Sequence, residues 1–196
     1  MHKLGARGVR LNLRTRWERM DEQGFRTILE KYADRIRSLG WCLQLFVALD
    51  QISLIAPIVP SLGVPVVFDH LGSPDKSKPP RLQTGYTEFL HLLKSGLAWT
   101  KLSGTYRFDT TPELDEYIKE ILRMAPDRVV WASDWPHSGG TEANPGGDRT
   151  KVQDYRVVDD PSFVRRCKGW CGGDEGLISK IWVDNPRRLW QYDGDD

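Results

Sequence analysis

RVVWASDWPH (residues 128–137) holds four apolar residues, Val-Val-Trp-Ala, and then turns into Ser-Asp-Trp-Pro-His. A short apolar run bounded by turn residues reads as a strand covered on both faces. The carboxylate of Asp134 just beyond it is either a turn residue or a group that does chemistry. The same pattern recurs upstream in GVRLNL (8–13), WCLQLFVAL (41–49), VPVVFDH (64–70) and LAWTKLS (97–103). Between these runs the apolar spacing is helical. Residues 24–39 carry Phe25, Ile28, Leu29, Tyr32, Ile36 and Leu39 on one stripe. Residues 51–62 read as a helix that Pro57 and Pro60 shorten or bend. Residues 86–94 form another. Thr111-Pro112 opens a fourth, with Leu114, Tyr117, Ile118, Ile121 and Leu122 on its inner side. Strand and helix in repeated alternation, with strands apolar almost throughout, predict an α/β fold with a parallel sheet and right-handed crossovers.

After His137 the pattern loosens. SGGTEANPGGDR (138–149) reads as a loop, and residues 152–170 mix charged and apolar residues without a clear period. Residues 175–183 read as a helix that Asn185-Pro186 should end, and residues 187–192 as one more short turn.

The chain has 196 residues, 28 basic and 27 acidic, for a formal net charge of +1. That length supports one domain with a real core. The balance excludes a phosphate-gripping groove, so no nucleic-acid partner is expected. No apolar run spans a bilayer, so no membrane partner is expected either. Three cysteines, Cys42, Cys167 and Cys171, make an odd count without a second ligand pair for zinc. A reducing, cytoplasmic setting follows.

Polar residues collect at the ends of the expected strands: Arg10 and Asn12, Gln44, Asp69-His70, Lys101 and Ser103 with Arg107 beyond, and Ser133-Asp134. In parallel α/β folds the ligand lies outside those carboxyl ends. His70 and Asp134 are the expected catalytic pair. Imidazole polarises a carbonyl or moves a proton, and a carboxylate beside it activates water. That chemistry suits hydrolysis of an ester, lactone or amide. Arg10, Arg16, Lys101 and Arg107 suit a small carboxylated substrate, since guanidinium groups bind carboxylates through paired hydrogen bonds. Arg10 and Lys101 sit inside apolar runs and should have partners. His137, three residues after Asp134, is a further candidate for the same pocket.

ARGVRLNL, VPVVFDHLG, TKLSGTYR, RVVWASDWPH and VDNPRRLW, in that order, resemble the amidohydrolase-related family of TIM-barrel hydrolases, in its 2-pyrone-4,6-dicarboxylate lactonase-like branch. The resemblance implies a (β/α)8 barrel whose sixth strand ends at His70 and whose eighth ends at Asp134. It implies Asp134 as general base, His70 as a ligand of substrate carbonyl or metal, and Arg10, Arg16 and Arg107 as carboxylate grips. Family members open with a His-x-His strand that this sequence does not contain. An incomplete barrel is therefore expected, with strands 4–8 present and the first three missing, and with residues 138–180 as an insertion. No cofactor is firmly implied; one divalent metal such as zinc, held by His70 and Asp134, requires the missing strands to supply further ligands. Missing strands also imply a homo-oligomer or association with a full-length homologue. Besides a lactonase, a metal-dependent decarboxylase of the same superfamily and an inactive fragment bound to a homologous chain remain as readings.

Overall fold

A computed structural model describes residues 1–14, 20–139, 144–148 and 150–192. Five strands form one sheet: β1 (Gly8–Asn12), β2 (Cys42–Phe46), β3 (Val66–Phe68), β4 (Ala98–Leu102) and β5 (Val129–Trp131). They lie in chain order, and every neighbouring pair is parallel. The crossovers carry helices α1 (Glu22–Ile36), α2 (Leu49–Ile55), α3 (Tyr86–Lys94) and α4 (Leu114–Met124). The expected α/β class with a parallel sheet is thus observed, each strand shorter than its apolar run. Among the described residues no helix is long and apolar enough to cross a membrane.

Successive strand residues point to opposite faces of a sheet. One face carries Leu11, Leu43, Leu45, Val66, Phe68, Ala98, Leu102 and Val129, which join the core beneath the helices. Helix α1 shows how that core is built. The Asp21 side chain caps it by accepting from the Gly24 amide at 2.8 Å, and Phe25, Leu29, Ala33 and Ile36 form its buried stripe. Burying a Phe or Leu side chain contributes about 1.5–3 kcal/mol, so this stripe fixes the helix more strongly than the cap, worth roughly 1 kcal/mol. The expected helix over 51–62 stops after Ile55, and a separate 3-10 turn follows at Val59–Ser61. Pro57 and Pro60 account for the break, since neither has an amide hydrogen to continue the helix.

The second face carries Cys42, Val67, Trp99 and Val130, packed against Leu189 and Trp190. Those last two lie on α7 (Asn185–Trp190), which follows α6 (Glu175–Ser179) through a π-helical turn at Lys180–Asp184. Asn185-Pro186 was expected to end the helix here; instead the chain stays helical. The wide turn absorbs the missing proline amide, and the proline sits in the first turn of α7 where no donor is needed. Asn185, almost fully buried, ties α7 to the sheet by donating to the Pro126 and Val129 carbonyls at 2.8 and 2.7 Å.

Residues 152–170 also hold more order than their sequence suggested. Helix α5 (Asp160–Trp170) starts at an Asp159 cap that accepts from Ser162 N at 3.0 Å. It buries Phe163, Cys167 and Trp170, a spacing of one helical face that the intervening charges obscure. Trp131 of β5 stacks with Phe163 and with Trp182 of the π turn, ring centroids 6.4 and 5.8 Å apart.

Candidate active site

The chain leaves its strands through unusual backbone. His70, Leu71, Gly72 and Ser73 after β3 all have left-handed φ, between 50° and 73°; so do Gly104 after β4, and Asp134 and His137 after β5. For residues other than glycine this region is unfavourable, and such residues cluster where function holds a side chain in place. Gly104 meets a stricter requirement. A Cβ there would lie 2.7 Å from His70 Nδ1 and 3.0 Å from Asp134 Oδ2, so only glycine leaves room for both groups.

These turns bring His70 and Asp134 together. His70 Nε2 faces Asp134 Oδ1 at 3.5 Å, with side chains only 5% and 16% exposed. Asp134 Oδ2 accepts from the Tyr106 hydroxyl at 2.6 Å and from Arg107 Nε at 2.7 Å. Arg107 also donates from Nη2 to the Ser138 carbonyl at 3.2 Å. Burial pushes the Asp134 carboxyl up, but His70, Tyr106 and Arg107 outweigh it and hold the acid below its usual range. The Tyr106 and Arg107 bonds act at any pH, whereas His70 contributes charge only when protonated. The Tyr106 hydroxyl is in turn pushed up, by burial first and then by its bond to the carboxylate.

Burial lowers the His70 pKa to about 4, against the opposing pull of Asp69 and Asp134. The imidazole is therefore neutral near pH 7. Its Nδ1 lies 2.8 Å from the Oγ of Ser103, which is fully buried. A carboxylate facing Nε2 favours a proton there, so the Ser103 hydroxyl donates to Nδ1 and fixes the tautomer. Phe46 closes the site, its ring edge-on to His70 at 5.3 Å.

Arg10 and Lys101 are found with partners, as their place inside apolar runs required. Arg10 Nε contacts Asp69 Oδ2 at 2.7 Å, Gln44 donates to Asp69 Oδ1 at 2.8 Å, and Lys101 Nζ donates to Gln44 Oε1 at 2.7 Å. Asp69 is 2% exposed, and this network satisfies a charge that would otherwise be costly to bury. His137 lies against Tyr106, edge-on at 5.7 Å, but its Nε2 pairs with Asp160 Oδ2 at 3.3 Å. Arg156 lies over the Tyr106 ring, its guanidinium carbon 5.7 Å from the ring centre. Arg16 lies outside the described residues. Asp69 and Ser103 were read from the sequence only as strand-end polar groups and given no role, and Tyr106 was not read as a site residue; it shares the TKLSGTYR motif with Lys101 and Arg107, which was the available signal.

The pair His70–Asp134 supplies two donors for a metal, and among the described residues no group of three or more His, Cys, Asp or Glu side chains could hold one. Their remaining atoms are engaged by Ser103, Tyr106 and Arg107. The described side chains by themselves therefore fall one ligand short of a catalytic zinc centre, which needs at least three protein ligands.

The parallel strands deliver a histidine–aspartate pair and arginines to their C-terminal ends, where parallel α/β enzymes bind their ligands. The sequence profile of the amidohydrolase family matches residues 1–191, and the chain belongs to that family. The 4-sulfomuconolactone hydrolase of Hydrogenophaga intermedia is 27% identical over 197 residues, covering 96% of this chain and 59% of that protein. The 2-pyrone-4,6-dicarboxylate hydrolase of Comamonas testosteroni is 26% identical over 203 residues, covering 97% of this chain and 61% of that protein. The crystal structure of a candidate 2-pyrone-4,6-dicarboxylic acid hydrolase from Pseudomonas putida has a TM-score of 0.72 and 29% identity, covering 97% of this chain and 65% of that one. The chain thus spans less than two thirds of the length of these three proteins.

Proposed function

We propose that this chain carries the acid–base centre of a lactone hydrolase that opens a carboxylated cyclic ester. The observation that carries the proposal is the Asp134 carboxylate, clamped through Oδ2 by Tyr106 and Arg107 while Oδ1 faces His70 at 3.5 Å. Oδ1 keeps a lone pair for water. In the proposed reaction Asp134 takes a proton from that water, and the hydroxide attacks the lactone carbonyl. Neutral His70 donates Nε2–H to the carbonyl oxygen as negative charge develops there. The ring C–O bond then breaks, and Asp134 returns the proton to the leaving alkoxide. A carboxylate held low in pKa is always ionised near neutral pH but is a weak base, so stabilisation of the oxyanion carries much of the rate.

Arg10, half exposed, and Arg107 are the proposed carboxylate grips, with Arg16 as a third. Lys101 is assigned to holding Gln44 and Asp69, and His137 to holding the Tyr106 ring. The five-stranded sheet is taken as the later part of an eight-stranded barrel, a reading supported by the 59% and 61% of the two hydrolases that the chain covers, and residues 138–180 are taken as an insertion. The remaining barrel strands, in the same protein or in an associated homologous chain, would complete the substrate pocket. The test is turnover of 2-pyrone-4,6-dicarboxylate, followed by loss of pyrone absorbance. Asp134→Asn is expected to lower kcat by about 100-fold or more, the share of a general base. Full turnover in that variant would exclude Asp134 as the base.

A further inference from the structure

The opposite end of the sheet holds a second constellation that lactone hydrolysis does not use. Residues just before β3, β4 and β5 line an open cleft of about 460 Å³, together with α7. Val64, Pro65, Leu97 and Leu189 give it an apolar wall. Arg128 and Arg188 stand at one side, their guanidinium carbons 4.9 and 5.0 Å from the centre of the Trp99 ring. Two like charges over one ring need a reason, because each repels the other. The carboxylate acting on Arg128 is Asp127, and Lys180 already holds it at 2.7 Å. Arg188 spends one nitrogen, Nη2, on the Asp127 carbonyl and on Asn185 Oδ1. Arg128 donates no hydrogen bond to a protein acceptor among the described residues, and its guanidinium lies against Gly96, which leaves it space. Burial and the charge of Arg188 both disfavour its protonated form.

We propose that this cleft binds an organic anion, a carboxylate on a flat apolar body. The carboxylate would take the unused donors of Arg128 and Arg188, and the body would lie on the apolar wall. Such a ligand relieves the arginine–arginine repulsion, which a neutral molecule leaves in place. The site is at the N-terminal ends of the strands, whereas His70 and Asp134 are at the C-terminal ends, so it is independent of the proposed reaction.

Isothermal titration calorimetry with benzoate tests it, with benzamide as the neutral isostere and acetate as the anion without the body. Benzoate is expected to bind saturably, and both comparators about tenfold more weakly or worse, the value of one charge-assisted contact or of the buried ring. Arg128→Gln should cost about tenfold or more in benzoate affinity. Leu97→Glu, at a partly exposed wall position, places a competing carboxylate in the cleft and should abolish binding without removing an arginine; it decides the matter if Arg128→Gln does not fold. Arg107→Met, which removes a proposed carboxylate grip at the other end of the strands, should leave the Arg128-dependent benzoate binding in place. Equal binding of benzamide, undiminished binding in Leu97→Glu, or loss in Arg107→Met would each overturn the proposal.

Discussion

Replacing Tyr106 by Phe removes the hydroxyl that reaches Asp134 Oδ2 at 2.6 Å and leaves the ring between His137 and Arg156. A hydrogen bond to a charged group contributes about 1.5–3 kcal/mol, and one pKa unit corresponds to about 1.4 kcal/mol. The Asp134 pKa should therefore rise toward its ordinary value. Arg107 remains on the same oxygen, so the rise should stop short of full reversal. The folded-state pKa of Asp134 is depressed, so its contribution to stability is present above the unfolded-state value and is lost as pH falls through the folded-state value. Tyr106→Phe should accordingly lose about 1–2 kcal/mol near pH 7, and the loss should shrink as pH falls through the folded-state pKa of Asp134. Carboxyl carbon NMR of Asp134 against pH reads the shift directly, and urea unfolding across the same pH range reads the stability. An unchanged Asp134 pKa in the variant would refute the clamp.

Two further substitutions test how the strand ends are held. Gly104→Ala puts a Cβ 2.7 Å from His70 Nδ1 at a φ of +58°, and should cost about 2 kcal/mol or more from backbone strain and overlap; wild-type urea stability would show that the turn relaxes freely. Asn185→Ala leaves the Pro126 and Val129 carbonyls without their donor, a loss of about 2–4 kcal/mol, or a Tm lower by roughly 5–15 °C for a chain of this size. A Tm within about 2 °C of wild type would mean that water replaces the bonds.

Much of the fold was legible because the strands are buried on both faces and read as apolar runs, with amphipathic helices between them. Helix α5 was not, since Phe163, Cys167 and Trp170 share one face while Arg165, Arg166 and Lys168 fill the rest and blur the period. Asn185-Pro186 misled because a proline marks a helix end or a first turn equally well, and only the π turn before it decides which. At the site, Asp134 and His70 stood out as charged groups closing apolar runs. Tyr106 did not, since a tyrosine just past a strand end is common and its partner lies 28 residues away; Ser103 stood out only as a strand-end polar group, its partner lying 33 residues away. Asp69, beside His70, gathers Arg10, Gln44 and Lys101 from three strands, a convergence that only the sheet register reveals.

The most direct test of the catalytic centre is an imidazole ¹⁵N NMR titration of His70 in the wild-type chain. Burial in this setting predicts a midpoint of about 4, with the proton on Nε2 and Nδ1 accepting from Ser103 throughout the neutral range. Stability should then fall as pH drops from the ordinary 6.5 toward 4, because the unfolded chain takes up the proton first. A midpoint near 6.5, or a proton resident on Nδ1, would contradict a neutral His70 that offers Nε2–H to a substrate carbonyl.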